Sequence, residues 1–209
     1  MNSDQKRVLL HIALFVLTFI TTTLAGAELA YGRFVQLPDY SWQDFVSGME
    51  FSVPFLLFLT VHEFGHYFMA RYHKIKVTLP YYIPLPSILI PYSIGTLGAV
   101  IRFRERIYSK KQTFDVGLAG PLAGFIVALI VLFYGFTNLP EPEYIFQFHP
   151  EYERYGLDYA DHVYENQQPN TLDLTIGKNL LFLFFEKYVA DPERVPNPHE
   201  IMHYPVLFA

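Results

Sequence analysis

The sequence predicts an all-α polytopic membrane protein that also contains a proline-rich extended or re-entrant segment. The first observation is composition: of 209 residues, 52% are hydrophobic, 18% are aromatic and only 17% are charged, a balance that lipid contact explains. The second is the presence of three long apolar runs, and the third is the alternation of basic clusters with acidic segments. We interpret residues 1–209 as one membrane-embedded core.

Charge and cysteine content exclude several classes of protein. The formal net charge of −5 is small and has the wrong sign for a nucleic-acid-binding surface. The chain contains no cysteine, so a disulfide framework, cysteine-ligated zinc and thiol catalysis are excluded within it. The expected partners are therefore the lipid bilayer and other membrane proteins, and not nucleic acid.

The first predicted span covers residues 8–27. These 20 residues contain no Asp, Glu, Lys or Arg, and a helix that rises about 1.5 Å per residue would carry them across a hydrocarbon core of roughly 30 Å. A cleaved signal peptide is the competing interpretation, because Lys6 and Arg7 precede the run and Ala25-Gly26-Ala27 resembles a cleavage site. Cleavage would leave the rest of the topology unchanged.

The second predicted span covers about residues 45–70, and its sequence places three ionisable side chains, His62, Glu63 and His66, at membrane depth. Ionisable groups are costly in lipid and are usually functional where they occur. The span therefore contains the first candidate functional residues.

The third predicted span covers residues 116–136 and opens with a run of small residues. Within it, Gly120 and Gly124 have the GxxxG spacing, which lets helix backbones approach closely. We expect this half of the helix to face a neighbouring helix as a packing seam.

Between the second and third spans, residues 77–103 contain four prolines, Pro80, Pro84, Pro86 and Pro91. Proline removes a backbone donor and breaks a regular helix, yet the segment remains rich in aliphatic and aromatic residues. Non-helical backbone at membrane depth must be shielded by protein or line a water-filled cavity. We therefore expect an extended or re-entrant segment beside the ionisable residues of the second span.

The distribution of charges predicts the topology. Basic residues cluster at 6–7, 71–76 and 102–111, whereas residues 137–177 contain eight acidic residues and a single base, Arg154. The positive-inside rule places the basic clusters and the N-terminus in the cytoplasm, and residues 28–50 and 137–177 on the other side. The apolar run at 204–209 predicts the start of a further span, so we expect the chain to be an N-terminal portion of a longer protein.

The pattern His62-Glu63-Phe64-Gly65-His66 is typical of a metal-dependent hydrolase. In a helix, positions i and i+4 differ by about 40° in azimuth, so both imidazoles project from one face and can bind the same ion. Neutral imidazoles suit zinc, and the neighbouring carboxylate can take a proton from zinc-bound water. The alternatives are an ion or proton site in a transporter or channel, and a structural pair of histidines.

Three separated signatures lie within about residues 45–136, at 62–66 (His-Glu-Phe-Gly-His), 95–99 (Gly-Thr-Leu-Gly-Ala) and 115–124 (Asp-Val-Gly-Leu-Ala-Gly-Pro-Leu-Ala-Gly). Together they resemble the site-2 protease family of intramembrane zinc metalloproteases. The resemblance implies a zinc metalloendopeptidase that hydrolyses peptide bonds in or near transmembrane segments of membrane proteins. It implies Zn2+ bound by His62 and His66, with Glu63 as the catalytic base. It also implies that residues 80–103 offer extended backbone to an unwound substrate, with Gly95, Thr96 and Gly98 as candidate substrate contacts.

One part of the family pattern has no counterpart here. The family's third metal ligand is an aspartate in an Asn-Pro…Asp-Gly type motif on a later helix, and the sequence contains no such motif. We assign this role to neither Asp115 nor Asp173 and expect the ligand beyond residue 209, so the chain alone is expected to have little protease activity. A non-catalytic relative that binds membrane helices therefore remains an alternative. His73, among basic residues after the second span, is expected to be interfacial.

Overall fold

A computed structural model describes residues 2–90, 92–164 and 177–209, which form two compact units. The first unit is Met1–Ile130 with Ala209, and the second is Val131–Phe208. Residues 165–176, which include Asp173 and belong to the predicted acidic loop, lie outside the described residues, as does Pro91.

The described residues are mostly helical, and three stretches of helix are long and apolar enough to cross a membrane. These are Gln5–Tyr31 in helix α1 (Ser3–Tyr31), Trp42–Tyr72 in helices α2 (Trp42–Ser47) and α3 (Met49–Tyr72), and helix α4 (Lys110–Thr137). All three extend beyond the predicted spans. The reason is that helical backbone continues into polar flanks, which a count of uncharged residues leaves out.

Local sequence sets the ends of α1. The side chain of Asn2 accepts a hydrogen bond from the Gln5 amide while the Gln5 side chain accepts one from the Asn2 amide, which is a capping box. At the other end, Gly32 has a φ of 61°, a left-handed conformation that glycine adopts without steric cost. The helix therefore stops at Tyr31.

Helices α1 and α3 pack closely in antiparallel orientation. A Cβ on Gly26 would lie 2.5 Å from the carbonyl oxygen of Gly48, so the two backbones are in direct contact. Nearby, the hydroxyl oxygens of Thr23 and Ser52, both buried, lie 2.7 Å apart. The end of α1 is thereby fixed to the start of α3.

The proline-rich segment contains an antiparallel pair of strands, β1 (Tyr81–Pro84) and β2 (Thr96–Val100). Tyr81 pairs with Val100 and Tyr82 with Ala99, and the register shifts before Pro84 pairs with Thr96. An isolated bridge between Val77 and Phe103 continues the pairing outward. Residues 77–103 are therefore a hairpin.

The hairpin lies along α1. Near the start of α1, Nδ1 of His11 is 3.0 Å from the carbonyl oxygen of Pro80. Further along, the Thr21 hydroxyl donates to the Gly95 carbonyl at 2.7 Å, and the Tyr92 amide donates to the Glu28 carboxylate at 3.2 Å. These contacts extend over about 25 Å of helix at 1.5 Å per residue.

The second unit has a buried core of its own. It contains 3-10 helices at Pro142–Gln147, Pro150–Asp158, Pro192–Arg194 and Ile201–His203, and helices α5 (Tyr159–Val163), α6 (Leu180–Tyr188) and α7 (Pro205–Phe208). Glu200 is 1% exposed and accepts hydrogen bonds of 2.8 Å from the hydroxyls of Tyr159 and Tyr164. Burial raises the pKa of the Glu200 carboxyl. The tyrosines between the acidic residues supply the packing that a count of charges does not reveal.

Candidate metal centre

Helix α3 brings together the candidate functional residues of the second span. The potential ligand atoms of His62, Glu63 and His66 all lie within 4.8 Å of one another. In the part of the chain that the structure describes, no other group of three His, Asp or Glu side chains is placed to hold a metal ion. The two imidazole Nε2 atoms are 3.1 Å apart, and Glu63 is buried. Both histidines therefore direct Nε2 toward a common point.

A backbone carbonyl determines which nitrogen of His66 carries a proton. Nδ1 of His66 lies 2.7 Å from the carbonyl oxygen of Val116 in α4. A carbonyl oxygen can only accept a hydrogen bond, so Nδ1 is the protonated nitrogen and Nε2 keeps its lone pair. This is the arrangement that commonly orients a metal-binding imidazole.

The GxxxG glycines of α4 make room for the two imidazoles. A Cβ on Gly120 would overlap the imidazole ring of His66, and a Cβ on Gly124 would lie 3.2 Å from Nδ1 of His62. On the facing helix, a Cβ on Gly65 would lie 2.6 Å from the carbonyl oxygen of Ala119. Close packing of α3 and α4 therefore depends on these glycines, and the histidine rings fill the space that they leave.

An open cavity of about 340 Å³ borders the two α3 residues Glu63 and His66. The backbone of Ile101, just after β2, also lies close to the Glu63 carboxyl group. The other residues that line the cavity are Ala99, Val100, Ile101, Phe103, Ile107, Thr113, Val116 and Gly117. The hairpin therefore forms one wall of the candidate centre, and α4 forms another.

The three candidate substrate contacts of β2 have different surroundings. A Cβ on Gly95 would overlap the backbone of Thr21 and Thr22 in α1, so this residue packs against the helix. Thr96 is buried, and its hydroxyl donates to the Ile83 carbonyl at 2.7 Å. Gly98 has a φ of 101°, and nothing lies within 4 Å of the position of a Cβ. Of the three, Gly98 borders open space.

Sequence reasoning missed two features of the centre. The carbonyl of Val116 leaves no trace in the sequence, because every residue has one. The second is a contact of 2.9 Å between Nε2 of His73 and Oδ2 of Asp115. From the sequence, His73 is expected to lie at the membrane interface and Asp115 is not assigned as a metal ligand, so a contact between the two is not expected. The signal that could have linked them is a histidine and an acid placed at adjacent ends of two apolar spans.

Comparison with known proteins identifies relatives. The sequence profile of Peptidase family M50 matches residues 50–206. Probable zinc metalloprotease EGY1, chloroplastic, from Oryza sativa subsp. japonica is 40% identical over 63 residues, which are 30% of this chain and 10% of that protein. Probable zinc metalloprotease EGY2, chloroplastic, from Arabidopsis thaliana is 35% identical over 79 residues, which are 38% of this chain and 13% of that protein. The chain thus spans only a small part of the curated relatives that it matches. No solved structure matches it.

Proposed function

The chain belongs to Peptidase family M50, the site-2 protease family, and from this premise we propose that it carries the zinc centre of an intramembrane metalloendopeptidase. Its substrates are peptide bonds in or near transmembrane segments of other membrane proteins. The observation that carries the proposal is the convergence of His62, Glu63 and His66, whose potential ligand atoms lie within 4.8 Å of one another beside an open cavity.

The donor set fits zinc. His62 and His66 would hold the ion through Nε2, and the contact between His66 and the Val116 carbonyl leaves the Nε2 lone pair of His66 free for this role. Zinc supplies Lewis acidity that activates water and polarises a peptide carbonyl. Catalytic zinc sites use three protein ligands and a water molecule, and His62 and His66 are two of these ligands in this proposal.

Glu63 is the general base in this proposal. Glu63 borders the cavity and is 7% exposed, so its carboxylate can meet a water molecule in the cavity while the residue stays largely shielded from bulk solvent. A carboxylate oxygen of Glu63 accepts the proton of the attacking water and then gives a proton to the amide nitrogen of the leaving chain. The backbone of Ile101 lies close to the carboxyl group on the side of the hairpin and can orient it.

The hairpin presents the substrate in an extended conformation. A transmembrane helix has all its backbone amides paired, so it must unwind locally before a peptide carbonyl can be attacked. Addition of an unwound segment alongside β2 would satisfy its freed backbone groups, with Gly98 leaving room for a side chain. The contacts from His11 to Glu28 support a re-entrant position for the hairpin, shielded from lipid on one side by α1.

Metal analysis tests the proposal. Purified wild-type protein is expected to bind about one zinc ion per chain, and His62→Ala and His66→Ala are each expected to remove most of it, because each deletes a ligand. His162→Ala is the matched control, since His162 stacks on Tyr155 in the second unit. Unchanged zinc stoichiometry in the His62 and His66 variants would remove the basis of the proposed function.

We further propose a multi-pass membrane protein with its N-terminus in the cytoplasm. The helices support this, because α1 and α3 are antiparallel and the end of α3 lies beside the start of α4. The basic clusters at 6–7, 71–76 and 102–111 therefore fall at the same end of the first unit.

Two single cysteines test this topology, since the chain contains none of its own. Ser109→Cys is expected to react with a membrane-impermeant maleimide only after cells are permeabilised, because it lies in a basic segment. Gln36→Cys, which is exposed in the segment between α1 and α2, is expected to react in intact cells. Reaction of Ser109→Cys in intact cells together with protection of Gln36→Cys would reverse the orientation.

A further inference from the structure

A second polar contact joins α3 to α4 about two helical turns beyond His66. It is the contact of 2.9 Å between Nε2 of His73 and Oδ2 of Asp115, and the two side chains are only 14% and 27% exposed. Asp115 immediately precedes Val116, whose carbonyl contacts His66. His66 of α3 and His73 at the C-cap of α3 therefore reach two adjacent residues of α4.

The α3 end of this contact is held in a fixed position. Lys74 has a φ of 61°, and hydrogen bonds run from its amide to the Arg71 carbonyl and from the Ile75 amide to the Ala70 carbonyl, at 3.0 and 2.9 Å. These are the two bonds of a Schellman motif, with His73 at the C-cap. Ile75 also packs with Ala70 and Val116 in a buried cluster. The backbone of His73 is therefore well anchored.

The first turns of α4 have fewer attachments of this kind. Lys110, Lys111, Thr113 and Phe114 are exposed, and Val116 is the first fully buried residue of the helix. Asp115 is thus a polar residue directly before Val116, whose carbonyl orients His66. A displacement of this helical turn would move the Val116 carbonyl away from Nδ1.

We propose that His73 and Asp115 are positioning residues of the metal centre. Their contact holds the first turns of α4 so that the Val116 carbonyl stays against Nδ1 of His66 and Nε2 keeps its lone pair for the metal. This inference rests on the proposed role of His66 as a ligand. Loss of a group that orients a metal ligand typically lowers metal affinity by about 10- to 100-fold. Because His73 acts through the backbone, we expect about a tenfold loss.

Paired substitutions separate this role from ordinary helix packing. His73→Phe and Asp115→Leu keep most of the side-chain volume but delete the polar contact. His73→Gln and Asp115→Asn keep a group that can hydrogen-bond, and Gln places its amide nitrogen near the position of Nε2. His11→Ala, which removes a histidine contact with the Pro80 carbonyl, is the matched control away from the centre.

Two measurements on the purified full chain decide the question. Zinc affinity is measured by competition with a chelator, and the nitrogen NMR shifts of the His66 ring, assigned as the signal lost in His66→Gln, report its tautomer without metal. We expect His73→Phe and Asp115→Leu to bind zinc about tenfold more weakly and to lose the single Nδ1-protonated form. We expect His73→Gln, Asp115→Asn and His11→Ala to resemble the wild type in both.

Three outcomes would overturn the inference, and they can be told apart. If His73→Phe and Asp115→Leu keep wild-type affinity and tautomer, the contact has no positioning role. If all four substitutions lower thermal stability and affinity together with no change of tautomer, the contact only stabilises the fold. If zinc binding by the wild type does not depend on His62 and His66, the proposed function fails as well.

Discussion

Glu63→Gln is expected to reduce peptide-bond hydrolysis by roughly 100- to 10,000-fold, the usual contribution of a general acid–base group, in the protein that carries the complete ligand set. The substitution keeps the size of the side chain and its place at the cavity wall, but a neutral amide cannot accept the proton of the attacking water. Zinc content is expected to stay unchanged because both imidazoles remain. Cleavage of a membrane-tethered reporter and zinc analysis, measured on the same preparation, test both statements.

Glu28→Gln is the matched control for this substitution. Glu28 is also a buried glutamate, 5% exposed, but it lies near the end of α1 and accepts a hydrogen bond from the Tyr92 amide. Glutamine can still accept that bond through its carbonyl oxygen, so hydrolysis is expected to be preserved. A Glu63→Gln protein that cleaves at the wild-type rate would show that another group activates the water.

Gly120→Ala is expected to abolish zinc binding, and with it activity. The new Cβ would overlap the imidazole ring of His66, and the backbones of α3 and α4 are too close for the helices to separate without loss of packing. The ring must therefore leave its position, which removes both a ligand and its contact with Val116. Zinc content and thermal unfolding of the purified variant are the measurements.

Gly117→Ala provides the comparison within the same helix. Gly117 lies about one turn before Gly120, and nothing lies within 4 Å of the position of its Cβ. Alanine also favours a helix over glycine by about 0.8–1.0 kcal/mol, so zinc content is expected to be retained and stability to be equal or higher. Full zinc occupancy in Gly120→Ala would contradict this prediction, because it would show that the His66 ring can bind zinc without the space left by the missing Cβ of Gly120.

The parts of the fold and site that depend on local pattern were predictable from sequence. Uninterrupted apolar runs indicate the helices that are long enough to cross a membrane, and the spacing of His62 and His66 places both rings on one face whatever the helix packs against. The structure brings these two residues together with Glu63, as that spacing predicts.

The parts that depend on contacts between distant residues were not predictable. The GxxxG spacing predicts a close helix partner but not that imidazoles occupy the space beside Gly120 and Gly124. Four prolines exclude a helix in residues 77–103 but do not determine the register of β1 and β2. They also do not predict that Gly95 packs against α1. The pairing of His73 with Asp115 links residues 42 positions apart, a relation that no local pattern encodes.

The parts of the candidate metal centre all come from one continuous stretch of the chain. Its histidines, its glutamate, its hairpin wall and the glycines beside the rings all come from His62–Gly124, and the contact between His66 and Val116 spans 50 positions. Chain segments that interact over short sequence distances lose little entropy on closure, and proteins fold progressively from the N-terminus as they are made. The two imidazoles and the carboxylate can therefore reach their mutual arrangement as soon as α4 has entered the bilayer. Their arrangement can thus form before residues 125–209 have been added to the chain.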